Sequence, residues 1–380
     1  MQTPPLPSLS QSSGVLTIDL GALADNWRAL ARRAAPGECA AVVKADAYGI
    51  GIEAAAPALH AAGCRHFFVA QLSEGARVRA ALAPGPQAQI YVLNGLQAGA
   101  DPQADYRAHD LMPVIGSEEE LARWAAFATR QPSPPPCAIH IDTGMNRLGV
   151  GSLDALVRML ARHGHEALGV KLLMSHFVSS EEPDNPLNAV QIARFDEARA
   201  LFRGIPAGLA NSSGIFLAQR PIFDLIRPGY ALYGGNPTPG APNPMKPVVA
   251  LDIAIQQTRW IEAGESVGYN QQWTAPRRTR LATLLAGYAD GLPRGAGAAQ
   301  GRAGADVVIA GRRCPLVGRM SMDLCIADVT DLPEDAAHPG ASAQLLGATI
   351  GVDEFAARSG TIGYHLLTSL GRRYHRRYIG

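Results

Sequence analysis

The chain has 380 residues, and its 34 lysine and arginine residues nearly balance its 33 aspartate and glutamate residues. The formal net charge of +1 does not favour binding to nucleic acid or to an anionic membrane surface. A chain of this length can bury a large core and is expected to divide into two domains.

Five scattered cysteines lack CxxC spacing, which argues against a disulfide framework and against a zinc site. Residues 1–13 are polar and rich in proline, and we predict that they are disordered. They have neither the basic nor the apolar segment of a secretion signal. No run of residues is apolar enough over sufficient length to span a bilayer. These features predict a cytoplasmic protein.

A regular pattern of predicted strands and helices begins after this segment. Residues 14–20 alternate between apolar and polar side chains, which predicts a strand. Residues 21–35 place Leu23, Trp27 and Leu30 on one face, which predicts a helix.

The next part of the chain repeats a strand-and-helix unit. Helical patterns such as residues 117–129 and 188–202 separate eight short apolar segments. The eight segments are residues 40–43, 66–71, 89–95, 111–117, 137–144, 169–177, 208–214 and 223–229. Eight such units predict a closed parallel (β/α)8 barrel of the TIM type over residues 21–233.

Polar or reactive residues follow most of these apolar segments. Because the carboxyl ends of parallel strands meet at one rim of a barrel, we expect these side chains to form a ring at the barrel mouth. The expected members of the ring are Lys44, Gln71, Asn94, Asp142, His176, Asn211 and Arg227.

A linker separates this barrel from a second domain. Residues 234–247, with the sequence GGNPTPGAPNPMKP, are dense in glycine and proline. Beyond them, residues 248–380 show alternating segments without regular helices between them, apart from a short helical pattern near 352–358. The predicted fold class is therefore an α/β barrel followed by an all-β domain.

Lys44 is the most informative member of the expected ring. Lysine occurs only at positions 44, 171 and 246, and every other basic residue is arginine. A buried lysine, unlike arginine, can lose its proton and attack a carbonyl group to form a Schiff base. Lys171 opens a strand and Lys246 lies in the linker, so solvent exposure explains both. A solvated loop residue is the alternative interpretation of Lys44.

The segment VVKADAYGIG, residues 42–51, resembles the pyridoxal-phosphate-binding motif of alanine racemases, which are fold-type III enzymes. The resemblance continues over nearly the whole chain, in the segments DTGMNRLG, SHF, NSSG, IRPGYALYG, VGYN, AGYADGLPR and VGRMSMDL. It implies that Lys44 binds pyridoxal phosphate covalently. It also implies that the strand at residues 14–20 joins the C-terminal domain.

The resemblance further implies which residues contact the cofactor. Arg227 would face the pyridine nitrogen; because arginine only donates hydrogen bonds, it would leave that nitrogen unprotonated and disfavour transamination. The phosphate contacts would be distributed over several loops. The implied cofactor residues are Lys44, Tyr48, Arg147, His176, Asn211, Ser212, Arg227, Gly229, Tyr230 and Tyr364.

The implied reaction uses two bases on opposite faces of the substrate. One would be Lys44, and the other would be Tyr269 of the partner subunit, so that the active enzyme would be a homodimer with shared sites. A tyrosine phenol has a reference pKa of about 10, and the resemblance suggests that His176, with Arg227 behind it, assists this base. Each of these residues has an alternative interpretation without a catalytic role. Tyr269 would be a core residue of a strand, His176 a histidine of the barrel interior, and Arg227 a turn residue in a salt bridge.

Further matched residues concern the substrate. Arg147 would bond the hydroxyl of the cofactor ring, and Met322 and Asp323 of the partner subunit would lie near the substrate carboxylate. Tyr288 would line the entrance. Bulky residues around a small pocket favour alanine over larger amino acids.

Two positions depart from the family pattern. His140 stands where many members have a lysine, often carbamylated, that steadies the arginine matched by Arg147. Asn146 stands at a position that is usually glycine. Our hypothesis is that a neutral His140 or a bound anion such as chloride holds Arg147. Loss of that lysine also occurs in racemases of broader substrate range.

The leading hypothesis is therefore an alanine racemase that supplies D-alanine for peptidoglycan or catabolises alanine, with no metal. One alternative is a broad-specificity amino-acid racemase on the same scaffold. Another is a non-catalytic carrier of pyridoxal phosphate related to single-domain barrels. The second domain with Tyr269 argues against a carrier, which has no need of a second base.

Overall fold

The computed structural model of the chain describes residues 7–82, 88–97, 102–299 and 301–380. Residues 1–6 of the segment predicted to be disordered lie outside these ranges. Leu9–Gln11 forms a 3-10 turn, and the Ser12 hydroxyl lies 2.7 Å from the Gly14 oxygen and 2.9 Å from the Arg373 oxygen. The structure therefore differs from the prediction over residues 8–13, because contacts with the end of the chain order this segment.

The first large unit is a parallel barrel. Seven strands pair in chain order to form one parallel sheet. The eighth, Leu225–Ile226, pairs with Glu38–Cys39, and the Asp224 amide donates to the Ala207 oxygen at 2.9 Å, which closes the barrel. The remaining strands are Ala41–Val42, His66–Val69, Gln89–Val92, Met112–Ile115, Cys137–His140, Val170–Met174 and Ala207–Gly208.

Helices surround this barrel, and several begin at capping side chains that the sequence displays. The Ser117 side chain accepts a hydrogen bond from the Glu120 amide, and the Asp19 side chain accepts one from the Ala22 amide. The strands are mostly apolar because the barrel interior and the helices bury both of their faces over most of their length. The helices are Leu20–Ala34, Ile52–Ala62, Leu72–Ala81, Pro102–Ala108, Glu118–Ala128, Leu153–His163 and Leu187–Ala200.

The second large unit is rich in strands. The 13-residue strand Val249–Ile261 is its centre and pairs antiparallel with Gly14–Asp19, Thr279–Leu284 and Ser342–Leu346. Gly14–Asp19 also pairs in parallel with His375–Ile379, so the strand that begins the chain lies beside the strand that ends it. The other strands are Ser266–Val267, Trp273–Thr274, Asp306–Ile309, Arg312–Pro315 and Cys325–Asp328.

The predicted fold class, a (β/α)8 barrel followed by a β domain, is confirmed. One helix of the second unit was not predicted: Gly363–Ser369 follows the expected helix Val352–Arg358 and packs against the turn after Lys44. No helix within the described ranges is long and apolar enough to cross a membrane. Short 3-10 turns occur at Gly214–Phe216, Tyr230–Tyr233, Tyr269–Gln271, Tyr288–Asp290, Arg294–Ala296 and Glu334–Ala336.

Candidate active site

A cavity of about 760 Å³ lies at the carboxyl ends of the barrel strands. Five of the seven side chains expected in the ring line it: Lys44, Asn94, His176, Asn211 and Arg227. The cavity also brings together all the residues implied as cofactor contacts, which come from distant segments: Lys44, Tyr48, Arg147, His176, Asn211, Ser212, Arg227, Gly229, Tyr230 and Tyr364.

The other two expected members of the ring have structural roles outside the cavity lining. Gln71 caps the helix Leu72–Ala81. The Asp142 carboxylate accepts hydrogen bonds from the backbone amides of Gly144, Met145 and Asn146, at 2.9, 2.8 and 2.9 Å. Asp142 therefore shapes the loop that presents Arg147 instead of facing the cavity itself.

The backbone after Lys44 has an unusual conformation. Ala45, Asp46, Ala47 and Tyr48 all have φ between 52 and 55°, in the left-handed region, and Gly49 follows at 85°. A left-handed residue other than glycine costs about 1 to 2 kcal/mol, so this turn is stable only because its surroundings hold it. The chain turns within these few residues, so that both Lys44 and Tyr48 line the cavity.

Burial lowers the pKa of the Lys44 amine, and the positive charge of Arg147 lowers it further. The Glu74 carboxylate acts in the opposite direction. A depressed pKa increases the fraction of neutral amine, which is the form that attacks a carbonyl group or accepts a proton. The site therefore increases the nucleophilic fraction of this lysine.

His176 and Arg227 lie deeper in the cavity. Burial and the neighbouring charge of Arg227 lower the pKa of His176 well below its usual value, so the imidazole is neutral at neutral pH. Arg227 is only 4% exposed, and its guanidinium donates to the backbone oxygens of Gly208, at 2.8 Å, and Ser175. Burial lowers the pKa of Arg227 to about 10, which leaves it charged at neutral pH.

One end of the cavity is a cluster of tyrosines around a tight backbone turn. The Ser212 hydroxyl oxygen accepts hydrogen bonds from the amides of Gly229 and Ala231, at 3.1 and 3.2 Å. The Tyr230 ring stacks on Tyr364 with ring centres 3.9 Å apart. The Tyr230 hydroxyl donates to Asp353 at 2.5 Å, and the Tyr364 hydroxyl donates to Glu181 at 3.0 Å. Hydroxyl groups and backbone amides thus converge at this end.

The two departures from the family pattern have visible consequences. Asn146 has a φ of 55°, and asparagine is among the few residues other than glycine that adopt this conformation readily. Burial lowers the pKa of His140 to about 4, and the charge of Arg227 contributes, so His140 is neutral at neutral pH. His140 and Arg147 line the same cavity, and our hypothesis about what holds Arg147 stays a prediction.

The remaining predicted residues lie away from the cavity of their own chain. Tyr269, Tyr288 and Met322 are 63%, 40% and 53% exposed. The amides of Tyr288 and Ala289 donate to the Ser321 and Met322 oxygens, at 3.1 and 2.9 Å, so two of these segments are neighbours. Asp323 is also on the surface, where it pairs with Arg373 at 2.8 Å.

A second cavity, of about 740 Å³, lies at the opposite end of the barrel, where the strands begin. Several of its polar side chains are already paired: His66 lies 2.5 Å from Glu38, and Arg79 lies 3.0 Å from Asp110. Within the described ranges, no group of three or more His, Cys, Asp or Glu side chains is placed to hold a metal ion. The cavity at the barrel mouth is therefore the candidate active site.

Comparison with known proteins shows the family of the chain. The family model for the N-terminal domain of alanine racemase matches residues 18–237, and the model for its C-terminal domain matches residues 248–378. The chain belongs to the alanine racemase family. The resemblance that the motifs indicated is thus confirmed, and membership of this family makes the chain an isomerase.

Individual relatives match over almost their full length. An alanine racemase of Methylobacterium sp. (strain 4-46) is 55% identical over 364 residues, which cover 96% of this chain and 97% of the relative. One from Methylobacterium nodulans is 52% identical over 377 residues, covering 98% of each chain. The crystal structure of a Bartonella henselae alanine racemase with covalently bound pyridoxal phosphate has a TM-score of 0.89 and 36% identity, covering 97% of this chain and 100% of that one.

Several residues that line the cavity were not predicted as site residues. His365 and Thr368 come from the unpredicted helix Gly363–Ser369, next to Tyr364. The spacing of Tyr364 and Thr368, four positions apart, is a helical signal that could have identified them. Asn94 was expected in the ring at the barrel mouth but not as a cofactor contact, and it lines the same cavity as Arg147.

Proposed function

We propose that this chain interconverts L-alanine and D-alanine with pyridoxal phosphate attached to Lys44. The observation that supports this most directly is the cavity itself, where the Lys44 amine, whose pKa is lowered, lies among Arg147, His176 and Arg227. The proposed bases are Lys44 on one side of the substrate and the partner subunit's Tyr269 on the other.

The cavity suits an anionic, planar cofactor. Arg147 and Arg227 add positive charge beside Lys44, and the aromatic rings of Tyr48, Tyr230 and Tyr364 surround one end. A Cβ atom on Gly229 would lie 2.3 Å from the Tyr48 hydroxyl, so the backbone leaves a space there that only glycine permits. The proposed phosphate contacts are Tyr48, Ser212, Gly229, Tyr230 and Tyr364, with Asn211 beside them.

Pyridoxal phosphate, when bound, supplies an electron-withdrawing ring that acidifies the α-proton of the amino acid. The residues of the chain move the proton and orient the ring. Lys44 would remove a proton as the neutral amine and return it as the ammonium, and its lowered pKa increases the neutral fraction. Arg227 donates hydrogen bonds only and stays charged, so it favours an unprotonated ring nitrogen, which disfavours transamination.

The second proposed base requires another copy of the chain. Tyr269, Tyr288, Met322 and Leu324 are large apolar or aromatic residues that are exposed on the second unit. Exposed side chains of this kind are typical of protein interfaces. We propose that this surface docks against the cavity of a partner copy, where the neutral imidazole of His176 would accept a hydrogen bond from the phenol. Met322 and Asp323 of the partner subunit would then lie near the substrate carboxylate.

Mixing two inactive variants tests this shared site. Lys44→Ala and Tyr269→Ala should each be inactive as homodimers. Unfolding and refolding them together gives mixed dimers, in which one site has both Lys44 and Tyr269. We expect alanine racemisation to reappear in the mixture at about a quarter of the wild-type specific activity, because half of the dimers are mixed and each has one intact site. No recovered activity, with mixed dimers shown by affinity tags, would contradict the assignment.

We also propose a cytoplasmic location and a role in supplying D-alanine for peptidoglycan or in catabolising alanine. All five cysteines are free and buried, which agrees with a reducing compartment. A broader substrate range is the second candidate function, and His140 in place of the usual lysine is the observation that favours it. Racemisation assays with L-alanine and L-serine side by side distinguish the two.

A further inference from the structure

One carboxylate holds the start of the strained turn that follows Lys44. Glu74 Oε1 accepts a hydrogen bond from the Ala45 backbone amide at 2.7 Å. Glu74 Oε2 accepts hydrogen bonds from the amides of Ala70 and Gln71, at 2.9 and 3.1 Å. A single side chain therefore joins the residue after Lys44 to the end of the neighbouring barrel strand.

We propose that Glu74 is a positioning residue for Lys44. By accepting the Ala45 amide it fixes the first residue of the left-handed turn, and this fixes the direction in which the Lys44 side chain enters the cavity. The inference rests on the proposed function in one respect, namely that Lys44 is the residue to which the cofactor is attached.

Helix capping alone does not explain these bonds. Glu74 is the third residue of the helix Leu72–Ala81, and its bond to the Gln71 amide is the usual capping-box contact. The bonds to Ala70 and Ala45 lie outside the helix, and the second of them spans 29 positions of sequence. Besides capping its own helix, the Glu74 side chain therefore joins the loop after Lys44 to the end of the neighbouring strand.

The rest of the turn is held by other contacts, which leaves the Lys44 end to Glu74. Arg77, one helical turn after Glu74, pairs with Asp46 at 2.5 Å and with Glu53 at 2.7 Å. At the far end, the Gly49 oxygen accepts a hydrogen bond from Arg376 at 2.6 Å. On the strand side of Lys44, the Val43 amide donates to the Phe68 oxygen at 2.8 Å, as in any barrel strand. On the turn side, the Ala45 amide donates to Glu74 at 2.7 Å.

Glu120 provides a matched control. It is also the third residue of its helix, Glu118–Ala128, and its two oxygens accept the amides of Leu96 and Gly116, at 2.7 and 2.6 Å. It therefore joins two strand-end loops in the same way as Glu74, but it does not contact the Lys44 turn. Glu120→Ala reproduces the general loss of a partly buried carboxylate that joins two loops.

Hydrogen exchange measures the turn directly. In the full-length protein with cofactor bound, we expect Glu74→Ala to speed amide exchange in residues 45–51 by about tenfold or more, as loss of a charge-assisted hydrogen bond implies. We expect Glu120→Ala to leave exchange there unchanged. Equal exchange in wild type and Glu74→Ala, or an equal increase in both variants, would overturn the proposal.

Cofactor attachment provides a second readout that a purely structural role would not change. The full-length chain is freed of cofactor, pyridoxal phosphate is added, and covalent attachment is followed by absorbance. We expect attachment to be about tenfold slower in Glu74→Ala than in Glu120→Ala when both are fully folded, although loss of the Glu74 charge by itself would increase the neutral fraction of Lys44. If Glu74→Ala does not fold, Glu74→Gln against Glu120→Gln gives the same comparison, and equal rates would refute the inference.

These outcomes separate this inference from the proposed function. Wild-type protein that attaches the cofactor but does not racemise alanine would refute the proposed reaction and leave the positioning role intact. Wild-type protein that racemises alanine, together with Glu74→Ala that matches it in exchange and attachment, would refute the positioning role alone.

Discussion

The hydroxyl of Tyr48 occupies the space that a side chain on Gly229 would need: a Cβ atom there would lie 2.3 Å from Tyr48 Oη. The two residues come from the first and last strand-end loops of the barrel, and both line the candidate active site. Tyr48 also stacks on Tyr233, with ring centres 4.6 Å apart, so its hydroxyl cannot move without disturbing a buried ring pair.

Gly229→Ala should therefore weaken cofactor binding. The added Cβ atom would displace the Tyr48 hydroxyl, which is one of the proposed phosphate contacts. We expect the dissociation constant of pyridoxal phosphate to rise about tenfold or more, as loss of one hydrogen bond to a charged group implies. Fluorescence titration of the cofactor-free protein measures it. Gly151→Ala, at a glycine with open space around it, is the control and should bind normally.

Gln191→Leu should destabilise the fold at the site. The side chain is fully buried, accepts the Val178 amide at 2.8 Å, and donates to the His176 oxygen at 2.9 Å and to Thr143 Oγ1 at 3.0 Å. Leucine would leave these buried groups unpaired, at a cost of about 1 to 3 kcal/mol each before relaxation. Urea unfolding should show a clear loss of stability, whereas Gln257→Leu, at an exposed strand position, should stay near wild type.

His140 should make the folded protein sensitive to acid. Its pKa in the folded state is about 4, below the usual value of 6.5, because burial disfavours the charged imidazole. Between these values the unfolded chain binds the proton and the folded chain does not, so stability falls as the pH falls through this window, by at most about 1.4 kcal/mol per unit. The contribution of His140 to stability is complete above the pKa of histidine in the unfolded chain.

Replacing His140 with glutamine should reduce this pH dependence. Unfolding free energies measured in urea between about pH 5 and pH 7 give the slope for each protein. The same substitution at His338, which is exposed, serves as control and should keep the wild-type slope. A slope that does not change in His140→Gln would mean that another group binds the proton on unfolding, and His176 would be the next candidate.

Alanine should be converted faster than serine. A hydroxyl group added to the substrate must fit beside bulky residues, and steric exclusion in such a pocket is worth a factor of about 10 or more. Formation of D-alanine and of D-serine by protein supplied with pyridoxal phosphate gives the ratio of kcat/KM. Equal kcat/KM values for alanine and serine would favour the broad-specificity alternative, and His140 and Arg147 would then be the residues to vary.

The barrel could be predicted because its signals are local. Each strand is a short apolar run that ends in a polar residue, and each helix has a periodic apolar face and often a capping residue, as at Ser117. The helix Gly363–Ser369 was missed because it is only seven residues long and begins at a glycine. That glycine is needed because a Cβ atom there would lie 1.6 Å from the Tyr230 hydroxyl, a contact between residues far apart in sequence.

The candidate site was predicted in part. Lys44, His176 and Arg227 could be singled out because a strand end, a residue type and a motif coincide at each. Gln71 and Asp142 also follow strand ends but stabilise a helix and a loop, since the sequence does not show which way a polar side chain at a strand end points. The placement of Tyr269 outside the cavity of its own chain likewise depends on the second unit and its packing.

The sequence by itself determined the order of strands and helices, the chemistry available at the barrel mouth and membership of a family. These properties depend on residue types and on spacings of a few positions. Only the tertiary structure decided that residues 14–19 lie between strands Val249–Ile261 and His375–Ile379, that residues 45–48 adopt left-handed backbone, and that Lys44 and His140 have lowered pKa values. The reason is physical: strain, burial and charge at one residue depend on neighbours that are distant along the chain.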